Sequence, residues 1–315
     1  MLDAILWLVR EMGMGFYSFF YAVTHPDLWL SWVWNGLAST DDKKALMRFI
    51  YYGGSRELFF VFLDFFLILT ALGLWRRRIM WGSVIAYEKF ANALGRTAAW
   101  AGLIMVLQQT MVVFLQRIFR VSEIAIGPFS PFGYKLWDGF TLIEKDLSWW
   151  GEELKLYNAI IVTLCCAYTF IQGGHVRVDL VYARLRFRRK KLVDMVGSLL
   201  FMLPMMLLIW KYSWPFMWRH LITPAVSASD RLELMLRKAI VVRWNVETTG
   251  FSPSGFDAYF LFKVLLVAFT ASMILMAITY FYRSLLAFRE GPDAETKHLD
   301  KDTLGEGEEV YEGTH

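Results

Sequence analysis

An all-α fold with several membrane-spanning helices is what this sequence predicts, and three observations predict it. Hydrophobic residues make up 57% of the chain and aromatic residues 17%, with a mean hydropathy of +0.39, against roughly 45 to 50% apolar usage in soluble domains. The apolar residues gather in runs long enough to cross a hydrocarbon core of about 30 Å, which takes roughly 20 helical residues. Lys and Arg cluster beside those runs instead of forming one stripe. The net charge of +4 therefore reads as a topology signal, and no nucleic-acid partner is expected.

Residues 1–37 are aromatic and apolar but are broken by Arg10, Glu11 and His25-Pro26-Asp27. Asp3, Arg10 and Ser18 draw a narrow polar stripe, which suits an interfacial amphipathic helix as well as a span. The segment lacks the basic start and small-residue cleavage site of a signal peptide. Pro26 is expected to start a second short helix, and Asp41-Asp42-Lys43-Lys44 to mark a polar loop. Spans are expected at about 57–75, 97–119, 154–171, 192–212 and 258–282. Residues 290–315 turn acidic and Gly-rich, cannot bury a core, and are expected to form a disordered tail.

Charge asymmetry orients the spans. Arg76, Arg77, Arg78, Lys89 and Arg96 face one acid, Glu88, and Arg177, Arg184, Arg186, Arg188, Arg189, Lys190 and Lys191 face Asp179. The loops 76–96 and 173–193 are therefore expected in the cytoplasm. The acid-rich connection between Arg117 and Lys155 is expected on the other side. The run from Arg184 to Lys191 also suits anionic lipid headgroups. Cys165 and Cys166 are adjacent within an apolar run, where neighbouring side chains diverge, so they read as packing residues and not as a disulfide or metal motif.

One ordered set of motifs stands out. Phe114 to Arg120 reads FLQRIFR, Trp149-Trp150-Gly151-Glu152-Glu153 opens the next span, and that span runs into Gly173-Gly174-His175-Val176-Arg177-Val178-Asp179-Leu180. A basic loop, a third helix, an external loop and a fourth helix follow. From Phe90 to about Phe288 this order resembles the small membrane subunit of tripartite ATP-independent periplasmic (TRAP) transporters, the DctQ family. Residues 90–289 would then be a DctQ-like four-helix membrane domain, residues 1–89 a membrane extension beyond it, and 290–315 a cytoplasmic tail. The resemblance implies a bacterial inner-membrane protein paired with a large transport subunit and served by a periplasmic substrate-binding protein. It implies ion-gradient-driven uptake of an organic acid, with the substrate and sodium sites in the large subunit.

Candidate site residues follow from position and charge. Glu152 and Glu153 lie at a helix start, where the dipole favours a carboxylate by roughly 0.3 to 1 kcal/mol. They are read as a helix-start device, or as salt-bridge partners of Arg117 or Arg120, and the sequence offers no nucleophile beside them for catalysis. His175, Arg177 and Asp179 read as a polar clasp at the opposite membrane surface, or as a contact with the partner subunit. Asp64 lies inside a span, which makes it an ion or proton relay candidate, or else a hydrogen-bonding group for a neighbouring helix through Gln108 or Gln109. No enzyme activity, cofactor or metal is expected. Two rivals remain: a membrane anchor of a redox complex holding haem, although no paired intramembrane His is visible, and a self-sufficient channel or transporter, although no internal repeat is visible.

Overall fold

The computed structural model describes residues 2–37, 39–120, 123–126, 143–172, 182, 184–223, 241–242, 259–298 and 300. The chain is an all-α, multi-pass membrane protein, with five helices long and apolar enough to cross a bilayer. Its helices are α1 (Leu2–Thr24), α2 (Asp27–Asn35), α3 (Thr40–Gly53), α4 (Arg56–Trp75), α5 (Arg77–Phe114), α6 (Leu147–Gln172), α7 (Phe187–Gly197), α8 (Leu203–Leu221), α9 (Phe260–Glu290) and the short α10 (Asp293–Thr296). A π-helical turn, Leu115–Phe119, prolongs α5, and another, Ser198–Met202, joins α7 to α8. The second precedes Pro204, whose ring and missing N–H would otherwise break the helix ladder at that point. Two short antiparallel strand pairs occur in the connections, Glu123–Ile126 with Ile143–Asp146 and Ile222–Thr223 with Val241–Val242.

The long helix α9 is the hub. All three buried apolar clusters include it: Val267 packs with Leu46, Met217 and Trp218; Met273 and Met276 with Ala91, Ala167 and Ile171; Tyr282 and Leu286 with Met80 and Val84. α6, by contrast, packs chiefly on α5. That pair is antiparallel in a regular register, with Asn92 opposite Gln172, Gly95 opposite Tyr168, Gly102 opposite Ile161 and Gln108 opposite Glu153. Glycine is required at Gly95, because a Cβ there would lie on the Tyr168 side chain. α6 and α9 run parallel, from Glu152 beside Tyr259 to Phe170 beside Tyr280.

Two sequence expectations give way here. The expected loop 76–96 is helix: α4 and α5 meet at the single extended residue Arg76, and α5 continues without a break from Arg77. The reason is a stripe at helical spacing, Met80, Val84, Glu88, Ala91, Gly95 and Ala98, all buried, which a hydropathy window does not register because it mixes polar and apolar residues. With its π turn this helix is 43 residues long, about 64 Å, twice the hydrocarbon thickness. The expected loop at Asp41–Lys44 is also helix: Ser39 caps α3 and Asp42 returns the bond to the Ser39 N–H, a capping box.

The helix expected after Pro26 forms as α2. α1 lies along α4 in the same direction, with Glu11 near Arg56, Gly15 against Phe60 and Asp64, and Phe19 against Phe65. α2 and α3 pair and return the chain to the start of α4. The last turn of α3 rests on α8, where the indole N–H groups of Trp210 and Trp214 donate to the Gly53 and Ile50 carbonyls at 2.8 and 3.0 Å. Those carbonyls have no partner within their own helix end, so the indoles satisfy them. The start of the expected tail is ordered against the bundle: α10 buries Ala294 beside Trp81 and Val84, and Asp300 reaches α5 and α6.

Candidate functional site

Polar residues gather at three places. At the end of the bundle that carries Tyr259, all four carboxylate oxygens of the Glu152-Glu153 pair are engaged. Glu152 accepts from Lys155 Nζ at 2.7 Å and from the Tyr259 hydroxyl at 2.8 Å. Glu153 accepts from the Tyr157 hydroxyl at 3.0 Å and from Gln108 Nε2 at 3.1 Å, and Gln108 also donates to the Trp150 carbonyl. These bonds tie α6 to α5 through Glu153 and to the start of α9 through Glu152. With a donor on each oxygen, the two carboxylates act as fasteners between helices.

The expected salt bridge of this pair with Arg117 or Arg120 is not formed among the described residues. The hairpin register sets Gln108 opposite Glu153, so Arg117 lies nine positions further along α5, about 13 Å at 1.5 Å per residue. Arg120 is further still, in left-handed backbone (φ 52°), where it closes the π turn with its N–H on the Leu115 carbonyl. His175, Arg177 and Asp179 lie outside the described residues. Lys191, from the basic run beyond them, is buried and sits 3.4 Å from Asp194, which also accepts from the Tyr182 hydroxyl.

The second place, at the Glu290 end, is one that sequence reasoning missed. Glu88 is 2% exposed and receives both Nε and Nη2 of Arg283, at 2.6 and 2.5 Å. The fork of a guanidinium matches a carboxylate in this way, and the bonds are charge-assisted. Arg283 also lies over the Trp81 ring at 5.7 Å, with Lys297 at the same distance and Glu290 accepting from the indole N–H. One turn further along α5, Asn92 and Gln172 donate to the Asp300 carbonyl at 2.7 and 3.1 Å, and Arg96 pairs with the Asp300 carboxylate. The buried stripe on α5 was the available signal for Glu88; Asp300 had none.

Asp64 is the third. It is 2% exposed, and its Oδ2 has no hydrogen-bond partner among the described residues. The expected bond through Gln108 or Gln109 is absent because Gln108 is committed to α6. Asp64 instead faces α1, where Gly15 allows close approach: a Cβ there would stand 3.3 Å from Phe60 Cβ and 3.4 Å from Asp64 Oδ2. Cys165 and Cys166 are free thiols, with Cys165 Sγ 3.6 Å from the Gly95 carbonyl. Among the described residues no group of three or more His, Cys, Asp and Glu side chains is placed to hold a metal ion.

No protein-family model, curated protein or solved structure matches this chain. Fold and site together define its class as a multi-pass helical membrane protein whose most motif-like acidic residues join its own helices.

Proposed function

We propose that this chain is the small, non-catalytic membrane subunit of a TRAP-type secondary transporter, with an N-terminal membrane extension. Its work is to hold a large transport subunit in the bilayer during ion-gradient-driven uptake of an organic acid delivered by a periplasmic binding protein. The observation that carries the reading is the ordered set of motifs from Phe114 to Leu180, together with the role of its acidic pair, Glu152 and Glu153, in joining α5, α6 and α9. Trp100, Leu107, Phe201 and Met205 are all more than half exposed, apolar surface that lipid or a partner subunit would cover in the plane of the membrane.

In this reading the protein resides in the bacterial inner membrane. The Glu290 end faces the cytoplasm, because Arg77, Arg78, Lys89 and Arg96 lie on the part of α5 at that end and Arg186 to Lys190 at the start of α7. The Tyr259 end would meet the binding protein. Proteoliposomes test the assignment. With this chain alone, organic-acid uptake stays at the level of protein-free vesicles, and it rises only when the large subunit and binding protein are added. Uptake by the chain alone, or a haem absorbance band in the purified protein, overturns the scaffold.

A further inference from the structure

Between α4, α8 and α9 lies an open groove of about 400 Å³. Its walls include Phe59 and Phe62 of α4, Leu207 and Leu208 of α8, and Ile274 and Leu275 of α9. α4 and α9 both run against α5, with Gly73 on Met80 at the α4–α5 turn and Trp81 and Glu88 beside Glu290 and Arg283, so α4 runs parallel to α9. α8 runs against α9, with Met217 and Trp218 in the cluster of Val267 and Met202 packed in that of Met273 and Met276. The first residue of α4 and the last groove residue of α8 therefore meet at one end. They are Arg56 and Lys211, both cationic and both lining the groove. One end of the groove is thus doubly positive, and the walls beyond it are mainly apolar.

We infer that this groove binds one anionic phospholipid, with an acyl chain against the α4, α8 and α9 walls and the phosphate between Arg56 and Lys211. Charge complementarity selects the headgroup, since cations beside an apolar surface in a membrane favour anionic lipid. The acid facing them is Glu11 of α1, 3.8 Å from Arg56 Nε; the Arg56 side chain is 71% exposed and free to turn toward a phosphate. The groove spans Pro204 to Lys211 along α8, about 10 Å at 1.5 Å per residue. The site is separate from the basic run at Arg184–Lys191 and does not depend on the proposed transport role.

Native mass spectrometry of delipidated protein, titrated with phosphatidylglycerol or phosphatidylcholine, reads the site directly. Wild type is expected to hold one phosphatidylglycerol about tenfold more tightly than phosphatidylcholine. Arg56→Gln with Lys211→Gln should bring the two lipids within about twofold. Leu275→Trp, at a position 45% exposed, should fill the groove and remove the tight site for both. Equal affinity of wild type for the two lipids overturns the proposal without any variant, and so does an unchanged preference in the double charge variant. A photoreactive residue at position 208 distinguishes occupants in intact membranes. A phospholipid adduct supports the site, and an adduct with another polypeptide overturns it.

Discussion

Glu88 on α5 and Asp64 on α4 are equally buried, each 2% exposed, yet their surroundings are opposite. Glu88 is gripped by both arms of Arg283, which is itself stacked on Trp81. Asp64 meets phenylalanines and a glycine, with one oxygen unpartnered among the described residues. Burial alone therefore says little about what an acidic residue does in a membrane helix. Near the Glu290 end the acid locks α5 to the hub helix, whereas between α1 and α4 it weakens the joint it occupies. The first joint is built to stay closed, and the second can part at smaller cost.

Four perturbations break or sharpen that contrast. Removing Arg283 with Arg283→Ala leaves Glu88 buried and unpaired, which costs about 3 to 5 kcal/mol and should lower the thermal midpoint of the purified protein sharply. Glu88→Gln combined with Arg283→Met should recover most of the loss, and an Arg283→Ala protein as stable as wild type would mean the pair does not hold the helices. Gly95→Ala forces α5 away from Tyr168, with a cost of about 1 to 3 kcal/mol. The matched control Gly82→Ala meets nothing within 4 Å and should be neutral or stabilising.

Asp64→Leu carries the opposite sign. Removing an unsatisfied buried carboxyl should stabilise the α1–α4 joint by about 1 kcal/mol, read as a raised midpoint. Loss of uptake by the reconstituted complex in Asp64→Asn, with stability unchanged, would instead make Asp64 part of an ion path. The smallest effect is one of pH. Hydrogen bonds from Ser39, then Ser31, and from Asn35 hold the Asp42 carboxyl below its ordinary value of 3.8. A depressed folded pKa gives stability that is fully present above the unfolded value and lost as pH falls through the folded one. The protection of amides in the first turn of α3, taken relative to their intrinsic exchange rates at each pH, should therefore fall only below about pH 3.8 and stay level between about pH 5 and 7.

Much of the fold was legible in the sequence because apolar runs between charges are a strong signal. All five expected spans are helices in the structure. Their ends were not legible: α5 begins near Arg77 and α9 continues to Glu290, because amphipathic extensions carry charge that ends a hydropathy window but not a helix. The central role of α9 was hidden as well, since its even hydrophobicity does not reveal how many neighbours it serves. At the site, Glu152 and Glu153 were visible as charges at a helix start. Their donors Gln108 and Tyr259 were not, because the register of the α5–α6 pair and the meeting of α6 with α9 arise only from packing. The docking of Asp300 on Asn92 joins positions far apart in the chain, and local composition marks that segment only as polar.

The scaffold role stands or falls most directly on co-purification. Expressed with its chromosomal neighbours and extracted in mild detergent, the tagged chain should bring down a large many-helix membrane protein at one-to-one stoichiometry. Recovery of the chain alone, or with a haem protein, would contradict the account.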